Sequence, residues 1–228
     1  MIKKLLIVLF GLTVISVPVY AQTPATRGAV RQETNITRLK TRADAEITRR
    51  ITSLTELVTK ITAMKRLTAD QKTTFTNGIN GQISSLNTLK TKIDTDTDIA
   101  TLRTDVQSIV KSYRIFALYL PQVNIMAHAD RILALIDEMN AITTKLQTRL
   151  NGATNSFLTD RIAKLADATT QANNAITTVV SLTPDGYPGN KTTLQSAQKM
   201  LQTARQDLVA AEHDATQIRQ GLRPTPTP

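Results

Sequence analysis

The chain contains no cysteine and no tryptophan, and aromatic residues make up only 4% of its 228 positions. Without Cys there are no disulfides, no thiol redox chemistry and no Cys-ligated metal sites, so packing alone must hold the fold. Few aromatics means few platforms on which unpaired bases could stack, and no nucleic-acid partner is expected. Glycine-rich phosphate loops and nucleophile-elbow patterns are missing too. The two histidines, His128 and His213, have no companions at metal-ligand spacing. His128 reads instead as a partly buried, hydrogen-bonded side chain. Catalytic residues, metal ligands and a cofactor are all expected to be absent, and the chain reads as a non-enzyme.

Long apolar runs are confined to the N-terminus. "MIKKLLIVLFGLTVISVPVYAQ" opens on Lys3 and Lys4, runs mostly apolar from Leu5 to Val19, and closes on Val19-Tyr20-Ala21. That order reads as a secretory signal peptide over residues 1–21, cleaved after Ala21. The competing reading is an uncleaved anchor. It is disfavoured because the run is shorter than the ~20 residues a span prefers and is broken by Gly11 and Pro18. An exported protein, periplasmic or extracellular, follows as the expectation, with no transmembrane segment after cleavage. The densest later apolar run, Ile115 to Leu120 within "SYRIFALYLPQVNIMAHADRI", is far too short to span a bilayer.

What is present is helical periodicity. No stretch alternates apolar and polar residues as a half-buried strand does, whereas apolar residues recur every three or four positions almost throughout. The expected fold is all-α, an elongated up-and-down antiparallel bundle of about six long helices. One compact bundle fits, and so do two three-helix bundles joined at a helix kinked by Pro121. Residues 22–35 read as a flexible N-terminal segment. Residues 36–151 read as four helices, with the kink at Pro121, where the missing N–H and the ring oppose a continuous helix. Asn151-Gly152 stops this region. Residues 152–221 read as a helical hairpin turned by "TPDGYPGN", with Asn190 as an N-cap, and residues 222–228 as a disordered Pro/Thr tail. Within the hairpin, Leu158, Ile162, Leu165, Ala168, Ala172, Ile176 and Val179 are expected to face inward, as is Ile142 before it. "DTDTD", Asp94 to Asp98, has the alternate spacing that opens a calcium loop, but Ile99 stands where the loop needs Gly. Helix capping is the expected role.

Net charge is +10, and +8 once Lys3 and Lys4 leave. The excess is early: ten Lys or Arg against four acidic residues between Gln22 and Arg66, but eleven against nine from Ser112 onward. In an exported protein this points to an anionic envelope polymer, lipid head groups or another protein as partner. Arg38, Lys40, Arg42, Arg49 and Arg50 are the candidate contacts. Helices this long often associate, which leaves a homodimer open.

Two resemblances follow. "LTADQ", Leu67 to Gln71, resembles the LTxxQ signature of Spy/CpxP-type periplasmic chaperones, which are basic and all-helical. "DTDIATLRTDVQSIVKSYRIFALYLPQVNIMAHADRI", Asp96 to Ile132, resembles a segment of exported bacterial all-helical proteins that have no known activity, so it implies no functional residues. The leading expectation is an exported helical protein acting through surface contacts. The alternative is a chaperone-like holdase. A third reading, a hydrolase, would need polar groups converging on a pocket around Tyr113, Tyr119 and His128.

Overall fold

The computed structural model describes residues 24–111 and 113–223; the expected signal peptide (residues 1–21) and the tail from Pro224 onward lie outside them. Among the described residues there is no strand, and the fold is all-α. The helices are α1 (Pro24–Ala63), α2 (Ala69–Thr95), α3 (Ile99–Lys111), α4 (Leu120–Leu150), α5 (Ser156–Val180) and α6 (Asn190–Gly221). A π-helix, Ile115–Tyr119, leads into α4, and a 3-10 turn, Pro184–Gly186, precedes α6. Five of these helices are long and α3 has only 13 residues, so the expected six long helices become five and one short.

Helix ends are set by local chemistry. α1 starts at Pro24 rather than near Ile36, so the segment expected to be flexible is helical from Pro24 on. Pro is favoured in the first turn, and Ala29, Arg31, Gln32 and Glu33 are good helix formers even with nothing packed on them. α2 opens on a capping box. The Gln71 N–H donates to Thr68 Oγ1 at 3.2 Å, and the Thr68 N–H donates to Gln71 Oε1 at 2.9 Å. The residues carrying the chaperone-like resemblance thus have a local role. Asp98 caps α3, accepting the Thr101 N–H at 2.7 Å, as expected for "DTDTD". Asn151 ends α4 in the left-handed region at φ 48°. Asn190, expected as a cap, instead sits in the first turn of α6, buried, and its side-chain amide donates to the Thr183 carbonyl at 2.6 Å.

The helices form two three-helix groups, α1–α3 and α4–α6, that share one continuous core. Antiparallel pairing is fixed by cross-helix contacts: Lys90 pairs with Asp44 across α2 and α1, and Thr143 receives Arg161 across α4 and α5. The chain breaks between Lys111 and Ile115, with Arg114 at φ 40°, and not at Pro121. Pro121 sits in the first turn of α4, where a missing N–H costs little. Ahead of it the Leu120 N–H donates to the Ile115 carbonyl, a π-type bond five residues back, which carries the helix smoothly into the proline. The expected kink at Pro121 is thereby replaced by a turn seven residues earlier.

The dense apolar stretch is mostly core. Ile115, Leu118, Tyr119, Val123, Ile125 and Met126 are buried, and Tyr119 meets Phe75 edge to face at 6.0 Å. Phe116 and Leu120 remain partly open to solvent. Along α6 the apolar residues recurring every three or four positions, Leu194, Ala197, Leu201, Ala204, Leu208, Ala211, Ala215 and Ile218, are all buried. Three expectations fail. Ile142 and Ile162 are exposed, and His128 faces solvent. At the Ile162 turn it is Arg161, with no exposed surface, that points inward.

The corner between α2 and α3 carries a carboxylate pair. Asp105 is buried and accepts Lys92 Nζ at 2.9 Å, while Asp96, which closes α2, lies beside it. Desolvation, and then the Asp105 carboxylate, push the Asp96 carboxyl above its usual range. The native state therefore favours neutral Asp96. The stability it contributes is complete below the unfolded value of about 3.9 and is lost as pH rises through the raised native value. Asp96→Asn is expected to raise the thermal midpoint near pH 7. That gain should vanish near pH 3, where both forms are neutral. Equal gains in melts at the two pH values would refute the assignment.

Candidate anion-binding face

Each α-helical residue advances about 100°, so Arg27, Arg31, Arg38, Arg42 and Arg49, spaced four, seven, four and seven, fall within about 60° of arc. The buried face of α1, carrying Ala43, Ile47, Leu54 and Ile61, lies about 140° away by the same geometry. All five arginines are exposed. From Arg27 to Arg49 the stripe runs about 33 Å, and no carboxylate interrupts the arc until Glu56. Spacing by eleven residues, close to three whole turns, is what keeps the series on one face.

The five residues singled out from sequence divide. Arg38 and Arg42 lie on the stripe and form no ion pair among the described residues. Arg49 is on the stripe, 60% exposed in its side chain, and grips Glu46 through Nε at 3.1 Å and its terminal nitrogen at 2.9 Å. Those hydrogen bonds hold the Glu46 carboxyl below, and the Arg49 guanidinium above, their ordinary values. Arg50 is only 5% exposed and belongs to the interior: it pairs with Glu46 at 2.6 Å and, with Arg49, stacks on Phe116. Lys40 turns away and donates to the Asp94 carbonyl at 2.7 Å. Arg27 and Arg31 complete the stripe. Apolar periodicity could not find them, since it begins only at Ile36, but the arginine spacing itself is legible.

A second locus lies where α1 meets the π-helix. Ser53, Glu56, Leu57, Lys60, Ile115, Phe116 and Leu120 line a cavity of about 220 Å³. That is below the ~300 Å³ at which small-molecule sites begin. Tyr113, Tyr119 and His128 occupy separate settings. Tyr113 donates its hydroxyl to the Ser85 carbonyl at 3.2 Å. Tyr119 is buried, its phenol pushed up to about 12 by desolvation and then by Asp185. His128 is on the outer face of α4. Among the described residues no three His, Asp or Glu side chains are grouped to hold a metal ion, and no helix is long and apolar enough to cross a membrane.

The chain matches no protein-family model, no curated protein and no solved structure.

Proposed function

We propose that the chain is an exported, non-enzymatic helical protein that acts through surface contacts, with the outer face of α1 as its contact for an anionic partner of the cell envelope. The observation that supports this reading is the arginine stripe. Four of its guanidiniums, on Arg27, Arg31, Arg38 and Arg42, form no ion pair among the described residues. The signal-like N-terminus supplies the compartment. Like charges at i and i+4 disfavour a helix, so a stripe of this kind gains from an anion laid against it. The protein beginning at Gln22 is expected to bind anionic vesicles or a soluble anionic polymer at low salt, and the affinity should fall steeply as salt rises. Sedimentation with neutral and anionic vesicles, and titration with polymer at two salt concentrations, test this. Binding to neither anionic probe at low salt would refute the reading.

A further inference from the structure

We propose that the occupant of the α1 face is one flexible linear polyanion lying lengthwise along the helix, an inference that rests on the reading above. The stripe is a line, about 33 Å long on a helix about 10–12 Å across. Charges confined to a narrow arc match a single strand of anions better than they match a flat sheet of head groups. Its flanks are also wrong for a bilayer. Thr34, Asn35, Thr41, Ala45 and Thr52 border the arginines, and among the described residues the large apolar side chains exposed beside them are Val30 and, at the Arg49 end, Phe116, too few and too far apart to form a face. An interfacial helix needs a free apolar face to enter the acyl boundary, and from Ile36 on the apolar face of α1 is packed into the core.

The chemistry of the stripe agrees. From Arg27 to Arg49 all of its cations are arginine, whose planar fork binds phosphate or carboxylate oxygens in bidentate fashion. Arg27 with Arg31, and Arg38 with Arg42, form two i,i+4 pairs about 6 Å wide, set about 16.5 Å apart. A chain bearing an anion every few ångströms can meet both pairs at once, whereas a short oligoanion meets only one. Linking the two contacts raises affinity through effective concentration. The N-terminal arm also has something to gain. Residues 27 to 35 are exposed on every side, so a bound strand would be their only tertiary partner among the described contacts.

The test uses protein beginning at Gln22 and three probes: long-chain polyphosphate, tripolyphosphate, and vesicles containing phosphatidylglycerol. Long-chain polyphosphate is expected to bind at least ~10-fold more tightly, per phosphate, than tripolyphosphate. Arg27, Arg31, Arg38 and Arg42 changed together to Gln should weaken that binding at least ~10-fold and reduce the salt slope by about one per arginine. These four side chains are exposed, so the variant keeps the fold, which circular dichroism checks. A charge-matched control, Lys145, Arg149, Lys199 and Arg205 changed to Gln, should lose less than ~3-fold. Equal affinity per phosphate for long and short chains would overturn the proposal, as would a control variant as weak as the stripe variant. Vesicle binding without polyphosphate binding would overturn it too, while leaving an anionic partner standing. Binding to none of the three probes would remove the parent reading as well.

Discussion

Arg161→Ala is expected to lower the stability of the protein by about 3 kcal/mol, chiefly through the cavity left among three helices. For a chain of this size that is a fall of about 6–12 °C in thermal midpoint. Arg161 is completely enclosed between α4, α5 and α6. Its Nε donates to Thr143 Oγ1 at 2.8 Å, one terminal nitrogen to the Met139 carbonyl at 3.0 Å, and the other to the Ala211 carbonyl. One side chain thus ties three helices. Yet among the described residues no carboxylate pairs with it directly. Desolvation lowers the guanidinium pKa, and only in part do the carboxylates of Glu212 and Asp214 oppose that.

The cavity separates from the buried charge and its hydrogen bonds with a second variant. Arg161→Met keeps most of the volume and removes the buried charge. The Met139 carbonyl also accepts the Thr143 hydroxyl, and both it and the Ala211 carbonyl lie inside helices, so neither is orphaned. Replacing a buried ion by an apolar side chain of similar size is often neutral or stabilising. Arg161→Met is therefore expected to melt within about 3 °C of the parent, or above it. If methionine proves as damaging as alanine, the charge-assisted hydrogen bonds outweigh the desolvation cost and this account is wrong.

Arg161 also shows where reading the sequence stops. The α6 series from Leu194 to Ile218 is legible because its apolar residues recur every three or four positions without a break, and Val209 is the one large aliphatic side chain of that helix left exposed outside it among the described residues. On α5, both Arg161 and Ile162 follow Leu158 at helical spacing, and hydrophobicity selects Ile162. The structure selects Arg161, because two neighbouring helices offer it carbonyls and a hydroxyl that no one-dimensional pattern shows. The turn at Arg114 was hidden differently. A left-handed residue is usually Gly or Asn, so an arginine at φ 40° gives no local signal, while Pro121 gives a strong one that the π-helix makes harmless. On α1 the basic residues were legible as a cluster. Which of them are spent internally, Arg50 on Glu46 one turn back in α1 and Lys40 on the Asp94 carbonyl of α2, was settled by side-chain direction rather than by composition. The outward stripe needed the helix to begin twelve residues earlier than apolar periodicity indicates.

Gln122 tests the opposite balance from Arg161. It follows Pro121, is fully buried, and its amide donates to the Val179 carbonyl at 2.7 Å and the Leu182 carbonyl at 3.1 Å. Carbonyls at a helix C-terminus have no partner further along the helix. Leu182 lies beyond α5, and among the described residues its carbonyl accepts from no other group. The Gln122 Oε1 is buried without a partner among the described residues, which offsets part of the gain, but a neutral amide costs far less to bury than a guanidinium, so here the hydrogen bonds should dominate. Gln122→Ala is expected to cost about 2 kcal/mol. Gln122→Met, which keeps the volume, is still expected to cost about 1 kcal/mol because it strands the Leu182 carbonyl. The damage should be local before it is global, with amide exchange accelerating in the last turn of α5 and in Ser181 to Thr183 while the middle of α5 stays protected. A methionine variant as stable as the parent, with unchanged exchange in that turn, would mean that solvent already satisfies these carbonyls and that Gln122 merely fills space.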